Sequence, residues 1–310
     1  MNTLRESASD YIAMRRALGC KLHAAGYYLL DFVAFLEQNN ACVITSKMAL
    51  RWAQQPTEVK PVTWANRLAV VRGFAKYHHV TDPRTEIPAT NLLPHRPMRM
   101  RPYIYTDLEI QKILNAALNL PRGSSFKRQT YYCLFGLLCV SGMRLSEVLN
   151  LKVANVDFEA GVLTVEKSKF GKSRLIPLHE STQKVLSAYK AHRDTALKER
   201  VSDYFFLSET GSQLNSHTTR YIFYSLLKQI GSPRQKKKCG PRLHDLRHRF
   251  AIETMLNWYR RGQDVERCLP VLSTYLGHLN VTHTYWYLTA CPELMGLAVQ
   301  RLESHWEAKS

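Results

Sequence analysis

The chain has 310 residues, and 45% of them are hydrophobic, which is enough to build the cores of two domains. No apolar run reaches the roughly 18 residues of a membrane span, and the mixed charges near residue 1 give no reason to expect a signal peptide. Lysine and arginine outnumber aspartate and glutamate by 43 to 25, so the net charge of +18 predicts a polyanionic partner. A basic surface without a function is the alternative. An anionic membrane is disfavoured because no basic amphipathic helix with a continuous apolar face is evident.

The cysteines indicate a reducing compartment. There are seven of them, an odd number, and no C-x-x-C pair occurs, which argues against a disulfide framework and against a zinc knuckle. Cys133 and Cys139 lie within an apolar run and are expected in the core. We therefore expect a cytoplasmic protein.

Residues 1–92 are predicted to form a small helical domain with basic faces. Its three apolar stripes, at spacings of three and four residues, are Tyr28, Leu29, Phe32, Phe35 and Leu36, then Met48, Leu50 and Trp52, then Leu68, Val71, Phe74 and Ala75. Thr45-Ser46 would cap the second helix, and the third would begin after Pro61 with Thr63 as its N-cap. The basic residues of the third segment, which lie mostly off its stripe, are Lys60, Arg67, Arg72 and Lys76.

Residues 93–105 are predicted to be an interdomain linker. Prolines are frequent here, and proline removes a helical donor and stiffens the chain. Three arginines stand between the prolines, namely Arg96, Arg99 and Arg101. We expect them either to contact DNA phosphates where the chain crosses a duplex or to be solvated charges without a function.

Residues 106–310 are predicted to form a second domain. Thr106 and Glu109 have the spacing of a capping box at the start of a helix. The apolar run at 131–142 predicts a buried helix that ends near Gly142. A further helix is predicted to begin near Leu145.

The pattern then changes to a period of two over residues 153–178. Three short runs are separated by Glu159-Ala160-Gly161 and Phe170-Gly171-Lys172, which predicts a small antiparallel meander. Helical patterns return from about residue 181. The expected fold class is therefore mostly α with a small antiparallel β-sheet, in two domains.

Four short motifs in the second domain contain residue types suited to chemistry on a phosphate. They are S-G-M-R-L-S-E with Arg144 and Glu147, K-S-K-F-G-K-S-R with Lys169, H-D-L-R-H with His244 and Arg247, and L-G-H with His278, followed nine residues later by Tyr287. Each alone has an ordinary structural explanation, such as a surface ion pair, a solvated turn lysine or core aromatics. His244 and His248 also have the i, i+4 spacing of metal ligands, but no third ligand is evident and Arg247 would put a cation beside the metal.

Taken together, the order R…K…H-x-x-R…H…Y resembles the tyrosine recombinase, or phage integrase, family, including its transposon-associated members. S-G-M-R-L-S-E-V is similar to the motif of its first arginine, K-x-x-K-S-R-L-I-P-L to its catalytic hairpin and H-D-L-R-H-R-F-A to its H-x-x-R box. The match covers the second domain, and residues 1–92 resemble the helical core-binding domain of the family. The register of the last motif selects Tyr287 over Tyr285 as the nucleophile.

The sequence departs from the family pattern at two places. Arg249 stands where the family usually has a small or hydroxylated residue, and Tyr285-Trp286 crowds the nucleophile with aromatic rings. Neither departure removes a catalytic group.

The resemblance implies transesterification at a DNA phosphate, without a metal ion, ATP or another cofactor. Tyr287 would attack phosphorus, the 5′-hydroxyl would leave, and a 3′-phosphotyrosine would form. Lys169 is implied as the general acid that protonates the leaving oxygen, because a desolvated lysine beside arginines has a usefully lowered pKa.

The remaining motif residues are suited to the charge that develops on the phosphate oxygens. Arg144 and Arg247 offer planar, permanently charged donors. His244 and His278 can add hydrogen bonds, and His244 is also the candidate base for the tyrosine. Glu147 would orient its neighbours.

Further basic residues are expected at DNA, with a solvated loop as the alternative. They are Lys172 and Arg174 in the hairpin, and Lys236, Lys237, Lys238 and Arg242 before the H-x-x-R box. The partner implied by the resemblance is double-stranded DNA with specific recombination sites.

The C-terminal segment carries an apolar stripe at helical spacing, formed by Met295, Val299, Leu302 and Trp306. The resemblance implies that this tail docks on a neighbouring protomer of a homo-oligomer, a tetramer on paired sites, with accessory recombinases as further partners. The alternative is that the tail packs on its own domain.

The function implied is integration or transposition of a mobile element at a bacterial nucleoid. Two alternatives stay open, a type IB topoisomerase-like enzyme that relaxes DNA and a catalytically silent DNA-binding protein.

Overall fold

The computed structural model describes residues 3–94, 101–121, 123–166, 173–198, 202–232 and 240–307. These residues are mostly helical with one small antiparallel sheet, which confirms the expected fold class. The chain divides into two compact units, Met1–Arg99 and Met100–Ser310. The division falls inside the segment assigned to the linker, while the domain limits at 92 and 106 stay predictions. None of the helices in the described ranges is long and apolar enough to cross a membrane.

The first unit is built from four helices around one apolar core. They are α1 (Leu4–Ala17), α2 (His23–Gln38), α3 (Ser46–Gln54) and α4 (Pro61–His78). The stripes on α2 and α4 are buried as expected, since Leu29, Phe32 and Val71 are almost fully removed from solvent. The apolar faces thus decide how these helices pack.

Helix α3 begins with a side-chain cap, whereas α4 begins with a proline at its first position. Thr45 caps α3, because its Oγ1 accepts a hydrogen bond from the backbone N–H of Met48 at 3.2 Å, as predicted. The predicted N-cap of the next helix, Thr63, is wrong. Helix α4 begins three residues earlier, with Lys60 as its N-cap and Pro61 as its first residue, because the proline ring already holds a helical φ and its missing donor is not needed there.

Arg67 differs from the expectation that the basic residues of α4 lie off the apolar face. Its side chain is buried, with the guanidinium carbon 3.9 Å from the centroid of the Trp52 ring. Nη2 donates to the Trp52 carbonyl at 3.2 Å and to Asp31 Oδ2 at 3.4 Å. The cation is accommodated in the core because an aromatic face and two oxygen acceptors replace its water shell.

The second unit contains nine helices and three strands in its described residues. They are α5 (Asp107–Leu118), α6 (Ser125–Ser141), α7 (Leu145–Leu149), β1 (Val156–Asp157), β2 (Val162–Val165), β3 (Arg174–Pro177), α8 (Glu180–Leu197), α9 (Ser216–Gln229), α10 (Asp245–Arg260), α11 (Val265–Leu276), α12 (Thr282–Ala290) and α13 (Pro292–Glu307). Thr106 and Glu109 form the predicted capping box of α5.

The predicted meander is confirmed, since the strands pair antiparallel in the order β1-β2-β3. In the pair β2–β3, Leu163 lies opposite Ile176, and both side chains are fully buried. The predicted turn Phe170-Gly171-Lys172 falls outside the described residues. Arg174 begins the strand that leads away from this turn and pairs with Val165, so its side chain starts from the end of the hairpin nearest the turn.

Helix α6 runs through the middle of the second unit and packs against α5, α8 and α10. Cys133 and Cys139 lie on it and are buried, as expected. A separate apolar cluster is formed by α10 to α13 and includes Tyr287. Three of the four motifs, those with Arg144, with His244 and Arg247, and with His278 and Tyr287, contribute described residues near these clusters, while Lys169 of the remaining motif lies outside the described residues.

The turn from α6 to α7 depends on Gly142. This residue has a left-handed conformation, with φ of 58°, and a Cβ atom built there would lie 2.4 Å from Cδ1 of Phe250. Only glycine combines this conformation with such a close neighbour. The turn matters for the site because it brings Arg144 to the start of α7.

We expect Gly142→Ala to lower the stability of the second unit strongly. A left-handed alanine costs about 1–2 kcal/mol, and overpacking against Phe250 adds about 1–3 kcal/mol. The matched control is Gly136→Ala in the middle of α6, where the nearest atom to a new Cβ is 3.9 Å away and helix propensity favours alanine by up to about 1 kcal/mol. Urea unfolding of both variants measures the difference, and equal midpoints would contradict this account of the turn.

Candidate active site

Arg144 and Glu147 form the first corner of the site. Arg144 is the N-cap of α7, and Glu147 is the third residue of that helix. The carboxylate accepts from the Arg144 backbone N–H at 2.9 Å and from its Nη1 at 2.8 Å. A glutamate at this position commonly binds the N-cap backbone, and here it also holds the N-cap side chain. Glu147 thus orients Arg144, as the sequence suggested.

A second guanidinium shares the same carboxylate. Arg174 donates from Nη1 to Glu147 Oε1 at 3.1 Å and from Nη2 to Oε2 at 2.7 Å, while its Nε donates to the Tyr275 carbonyl at 2.6 Å. The Arg174 side chain is only 8% exposed. This inward position favours a structural role for Arg174 over the phosphate contact that the sequence suggested.

The protonation of Glu147 follows from this pairing. Burial raises the pKa of the carboxyl, but hydrogen bonds from Arg174 and Arg144 outweigh burial, so the pKa is lowered from its ordinary value near 4.5. The carboxylate therefore contributes stability above that ordinary value, and the contribution is lost as pH falls through the lowered folded-state pKa.

We expect Glu147→Gln to destabilise the second unit by about 3–5 kcal/mol at neutral pH, because it leaves two buried guanidiniums without their counter-ion. The stability difference from the wild type should shrink as the pH falls below the ordinary value near 4.5 and through the lowered pKa of the folded-state carboxyl, where the wild-type side chain also becomes neutral. Thermal unfolding across pH measures this difference. Glu180→Gln, which removes a pair with Lys184 that is 74% exposed on both sides, is the control and should change little.

Arg247 is the most deeply buried cation of the site, at 2% exposure. Its Nη1 donates to the Gly142 carbonyl at 2.8 Å, and its Nη2 donates to the Leu276 carbonyl at 2.5 Å. Burial and the charge of Arg144 lower its pKa to about 10, so the guanidinium is still protonated at neutral pH. Two fixed carbonyls thus hold a cation that keeps further donors for a ligand.

The C-terminal end of α11 anchors all three arginines. The carbonyls of Tyr275, Leu276 and Gly277 accept from Arg174, Arg247 and Arg144, respectively, the last at 3.0 Å from Arg144 Nη2. These carbonyls have no partner within the helix, and the helix end carries partial negative charge. The end of one helix therefore stabilises several cations that would otherwise repel one another.

Two histidines of the motifs lie beside these cations. Burial, together with Arg247, lowers the pKa of His244 to about 4 and that of His278 to about 3. His278 Nδ1 lies 2.9 Å from Thr284 Oγ1, which fixes the orientation of its ring. Both imidazoles are therefore neutral at pH 7 and can form hydrogen bonds without adding charge.

Tyr287 completes the cluster. Its side chain is 2% exposed, and its ring stacks on His278 with the centroids 6.2 Å apart. The phenol is close enough to Arg247 to affect the pKa of that guanidinium. Tyr285, in contrast, is 47% exposed. The structure therefore brings Tyr287, and not Tyr285, into the group of cations and imidazoles.

The sequence analysis missed one functional neighbour, His248. Its Nδ1 lies 3.2 Å from the hydroxyl oxygen of Tyr287, and its ring lies edge-on to His244 at 4.8 Å. The spacing of His244 and His248 was noted only as a metal-ligand pattern. Within the described ranges, no group of three or more histidine, cysteine, aspartate or glutamate residues could hold a metal ion.

Of the other residues predicted to contact DNA, the structure describes Arg101 and Arg242. Arg101 is exposed. Arg242 is 46% exposed at its side chain and donates from Nη2 to Asp245 Oδ1 at 2.8 Å. Outside the described residues lie Lys169, Lys172, Arg96, Arg99, Lys236, Lys237 and Lys238, and their assignments stay predictions.

Arg249, one of the two departures from the family pattern, makes its described contacts at the start of α5 and at Tyr105 just before that helix. Its Nε donates to the Tyr105 carbonyl at 2.8 Å, and its guanidinium pairs with Asp107 at the start of α5. The unusual residue thus joins α10 to α5 without entering the cluster around Tyr287.

Comparison with known proteins agrees with the site. The family model described as the phage integrase family matches residues 104–293, so the chain belongs to this family. Its relatives identify the enzyme class as tyrosine recombinase.

Two relatives and one solved structure illustrate the similarity. The integrase/recombinase y4rB of Sinorhizobium fredii is 50% identical over the whole length of both chains. The tyrosine recombinase XerD of Vibrio cholerae is 28% identical, over 87% of this chain and 81% of that one. The Tn1549 transposon integrase, solved in complex with transposon right end DNA, has a TM-score of 0.69 at 17% identity, with 98% of this chain and 99% of that one covered. This last likeness shows a shared fold.

Proposed function

We propose that this protein is a site-specific DNA recombinase that cuts and rejoins strands through a 3′-phosphotyrosine at Tyr287. The observation that carries the proposal is that the buried Tyr287 lies against His278 and beside Arg247. The charges of Arg144 and Arg247 act in turn on both His244 and His278. Fixed cations and neutral imidazoles around one hydroxyl suit in-line attack on a phosphodiester, whose transition state gathers charge on its non-bridging oxygens.

Each step uses a group of this chain. The Tyr287 oxygen attacks phosphorus, while Arg144 and Arg247 bind the two non-bridging oxygens. His244 and His278 donate hydrogen bonds to the same oxygens. The 5′ oxygen leaves with a proton, which Lys169 supplies by family resemblance. The phosphotyrosine preserves the bond energy, so that the 5′-hydroxyl of a second strand can reverse the step without ATP.

The substrate proposed is double-stranded DNA with specific recombination sites. The net charge of +18 supports a polyanionic partner. Arg101 and Arg242 are the described basic residues that we assign to phosphate contacts, together with the residues identified from the sequence that lie outside the described ranges, Arg96, Arg99, Lys172, Lys236, Lys237 and Lys238. Recombination for a mobile element is the role that we infer, because the 50% identical y4rB is named as an integrase/recombinase.

We also propose that the protein works as a homotetramer on paired sites. Helix α13 buries Leu294 in its own unit but exposes an apolar face formed by Met295, Val299, Leu302 and Trp306, which are 45–66% exposed. A neighbouring protomer could cover this face, as the sequence analysis suggested for the tail. Light scattering of the DNA complex tests the assembly, and a monomer on each site would contradict it.

The decisive experiment is covalent trapping. DNA bound by the protein is selected from a pool of random duplexes. The enriched sequence is rebuilt with a nick a few nucleotides 3′ of each candidate scissile phosphate, so that cleavage releases a short fragment bearing the free 5′-hydroxyl, which diffuses away and cannot reverse the step. We expect a protein–DNA adduct that survives denaturing electrophoresis. Failure to form an adduct at every nick position on a tightly bound duplex would favour a silent DNA-binding protein.

A second readout separates recombination from relaxation. Supercoiled plasmid carrying two copies of the selected site should give recombinant products. Relaxed plasmid without recombinants would favour the topoisomerase-like alternative.

A further inference from the structure

We infer that His248 is the general base that accepts the proton of the Tyr287 hydroxyl, and that Asp245 sets the tautomer that makes this possible. The inference rests on the proposed function, because it assigns a role within the same reaction. It differs from the expectation from sequence, in which His244 was the candidate base.

The geometry joins the two side chains directly. His248 and Tyr287 come from α10 and α12, and the distance from Nδ1 to the hydroxyl oxygen is 3.2 Å, within the range of a hydrogen bond. Trp286 packs edge-on against the same imidazole, with the centroids 5.3 Å apart. Trp286, which looked like crowding in the sequence, therefore helps to hold the ring at the phenol.

The other side of the imidazole faces a carboxylate. His248 Nε2 lies 3.9 Å from Oδ1 of Asp245, which is fully buried. Asp245 is held in turn by Arg242, whose backbone N–H, Nε and Nη2 donate to it at 2.8, 3.2 and 2.8 Å. The nearby negative charge favours the proton on Nε2, and the lone pair of Nδ1 then points at the Tyr287 hydroxyl.

The surroundings keep the base neutral before the reaction. Burial is the main cause that lowers the pKa of His248 to about 3, and His244, Arg242, Arg247 and His278 act in the same direction. Asp245 is the acidic group that faces the same ring, with its Oδ1 3.9 Å from Nε2. The lone pair of Nδ1 is therefore available over the whole physiological pH range.

Each proton and bond of the proposed step has a source and a destination in the protein or the DNA. As the Tyr287 oxygen forms its bond to phosphorus, its proton passes to His248 Nδ1, while the bond from phosphorus to the 5′ oxygen breaks and that oxygen takes a proton from the general acid. A phenol oxygen bonded to phosphorus is far less basic than a free phenolate, so proton transfer late in the attack is favourable even to a weak base. In the reverse reaction, the imidazolium beside Asp245 returns the proton to the leaving Tyr287 oxygen.

This arrangement divides the work between two neighbouring imidazoles. His244 and His248 lie one helical turn apart on α10, with ring centroids 4.8 Å apart. His248 is the one with a hydrogen bond to Tyr287, which leaves His244 for the phosphate oxygens.

The test uses two replacements on the selected nicked duplex. His248→Asn keeps an amide near the position of Nδ1 that can accept a hydrogen bond but cannot take up the proton, and His248→Phe removes both abilities. We expect both variants to cleave about 10²–10⁴-fold more slowly than wild type. The control is His192→Asn, which changes a histidine on α8 that is hydrogen-bonded to Gln129 on α6, and it should cleave at the wild-type rate.

The pH dependence separates a base from a structural role. Without a base, attack requires the phenolate, whose fraction rises tenfold per pH unit below a phenol pKa of about 10. The rate of His248→Asn relative to wild type should therefore rise with pH.

A sulfur-substituted DNA separates the base from the general acid. A DNA with sulfur at the 5′ leaving position needs no general acid, so it should restore cleavage to Lys169→Ala and leave His248→Asn slow.

The outcomes distinguish this inference from the proposed function. If wild type forms the adduct but His248→Asn cleaves equally fast, the base assignment is wrong. A loss of cleavage rate that does not depend on pH, or a loss only in His248→Phe, would make His248 a positioning residue. Either result would also overturn the assignment of His248 as the base. If wild type forms no adduct at all, the proposed function itself fails.

Discussion

Tyr287→Phe is expected to abolish the covalent protein–DNA adduct while leaving DNA binding intact. The substitution removes one oxygen atom, and that oxygen is the only atom of the side chain that can bond to phosphorus. The ring keeps its place in the apolar cluster of α10 to α13 and its stacking on His278. Folding should therefore be nearly unchanged, and electrophoresis of the trapped nicked duplex measures the loss.

The matched control is Tyr285→Phe, two residues away on the same helix. Because Tyr285 is half exposed and outside the cation cluster, its loss should leave the adduct yield close to wild type. An adduct that persists in Tyr287→Phe and disappears in Tyr285→Phe would transfer the nucleophile to Tyr285. That result would also require α12 to rotate from the orientation described here.

Arg247→Lys should reduce the cleavage rate by about 10²–10³-fold, the usual cost of losing one preorganised donor to a developing oxyanion. Lysine keeps the charge but offers a single nitrogen, which cannot bind the carbonyls of Gly142 and Leu276 and a phosphate oxygen with the planar spread of a guanidinium. Single-turnover cleavage of the nicked duplex, at saturating protein, measures the chemical step apart from binding.

The control for Arg247→Lys is Arg249→Lys on the same helix. The described hydrogen bonds and ion pair of Arg249 go to Tyr105 and Asp107 and not to Arg144, Arg247 or Tyr287, so this variant should cleave within a few-fold of wild type. Thermal unfolding of both variants must show that the second unit is folded at the assay temperature. Wild-type cleavage by a folded Arg247→Lys would contradict its assignment to the phosphate.

Fixed hydrogen-bond acceptors hold the arginines of the site in place. Arg144 and Arg174 share one carboxylate, and the last carbonyls of α11 accept from all three arginines. The guanidiniums are thereby fixed before DNA arrives, and little reorganisation is needed when a phosphate enters. The same contacts couple stability to function, since Glu147→Gln and Gly142→Ala both disturb this scaffold.

Most of the fold followed from local patterns. The stripes of α2 and α4, the cap at Thr45, the capping box at Thr106 and the meander were all predicted, because each depends on residues a few positions apart. The exceptions arose where local rules compete. Helix α4 starts at Pro61, so Thr63 lies inside the helix and does not cap it. Arg67 is buried because Trp52 and Asp31, on other helices, accept its hydrogen bonds.

The sequence by itself determined the family and the identity of the motif residues, since the order and spacing of arginine, histidine and tyrosine are properties of the chain alone. Only the tertiary structure decided how they are used. The bond from Arg247 to Gly142 joins residues 105 positions apart, and the contact of His248 with Tyr287 joins residues 39 positions apart. Such contacts depend on how α10, α11 and α12 pack, and periodicity within one helix carries no information about the partner that faces it.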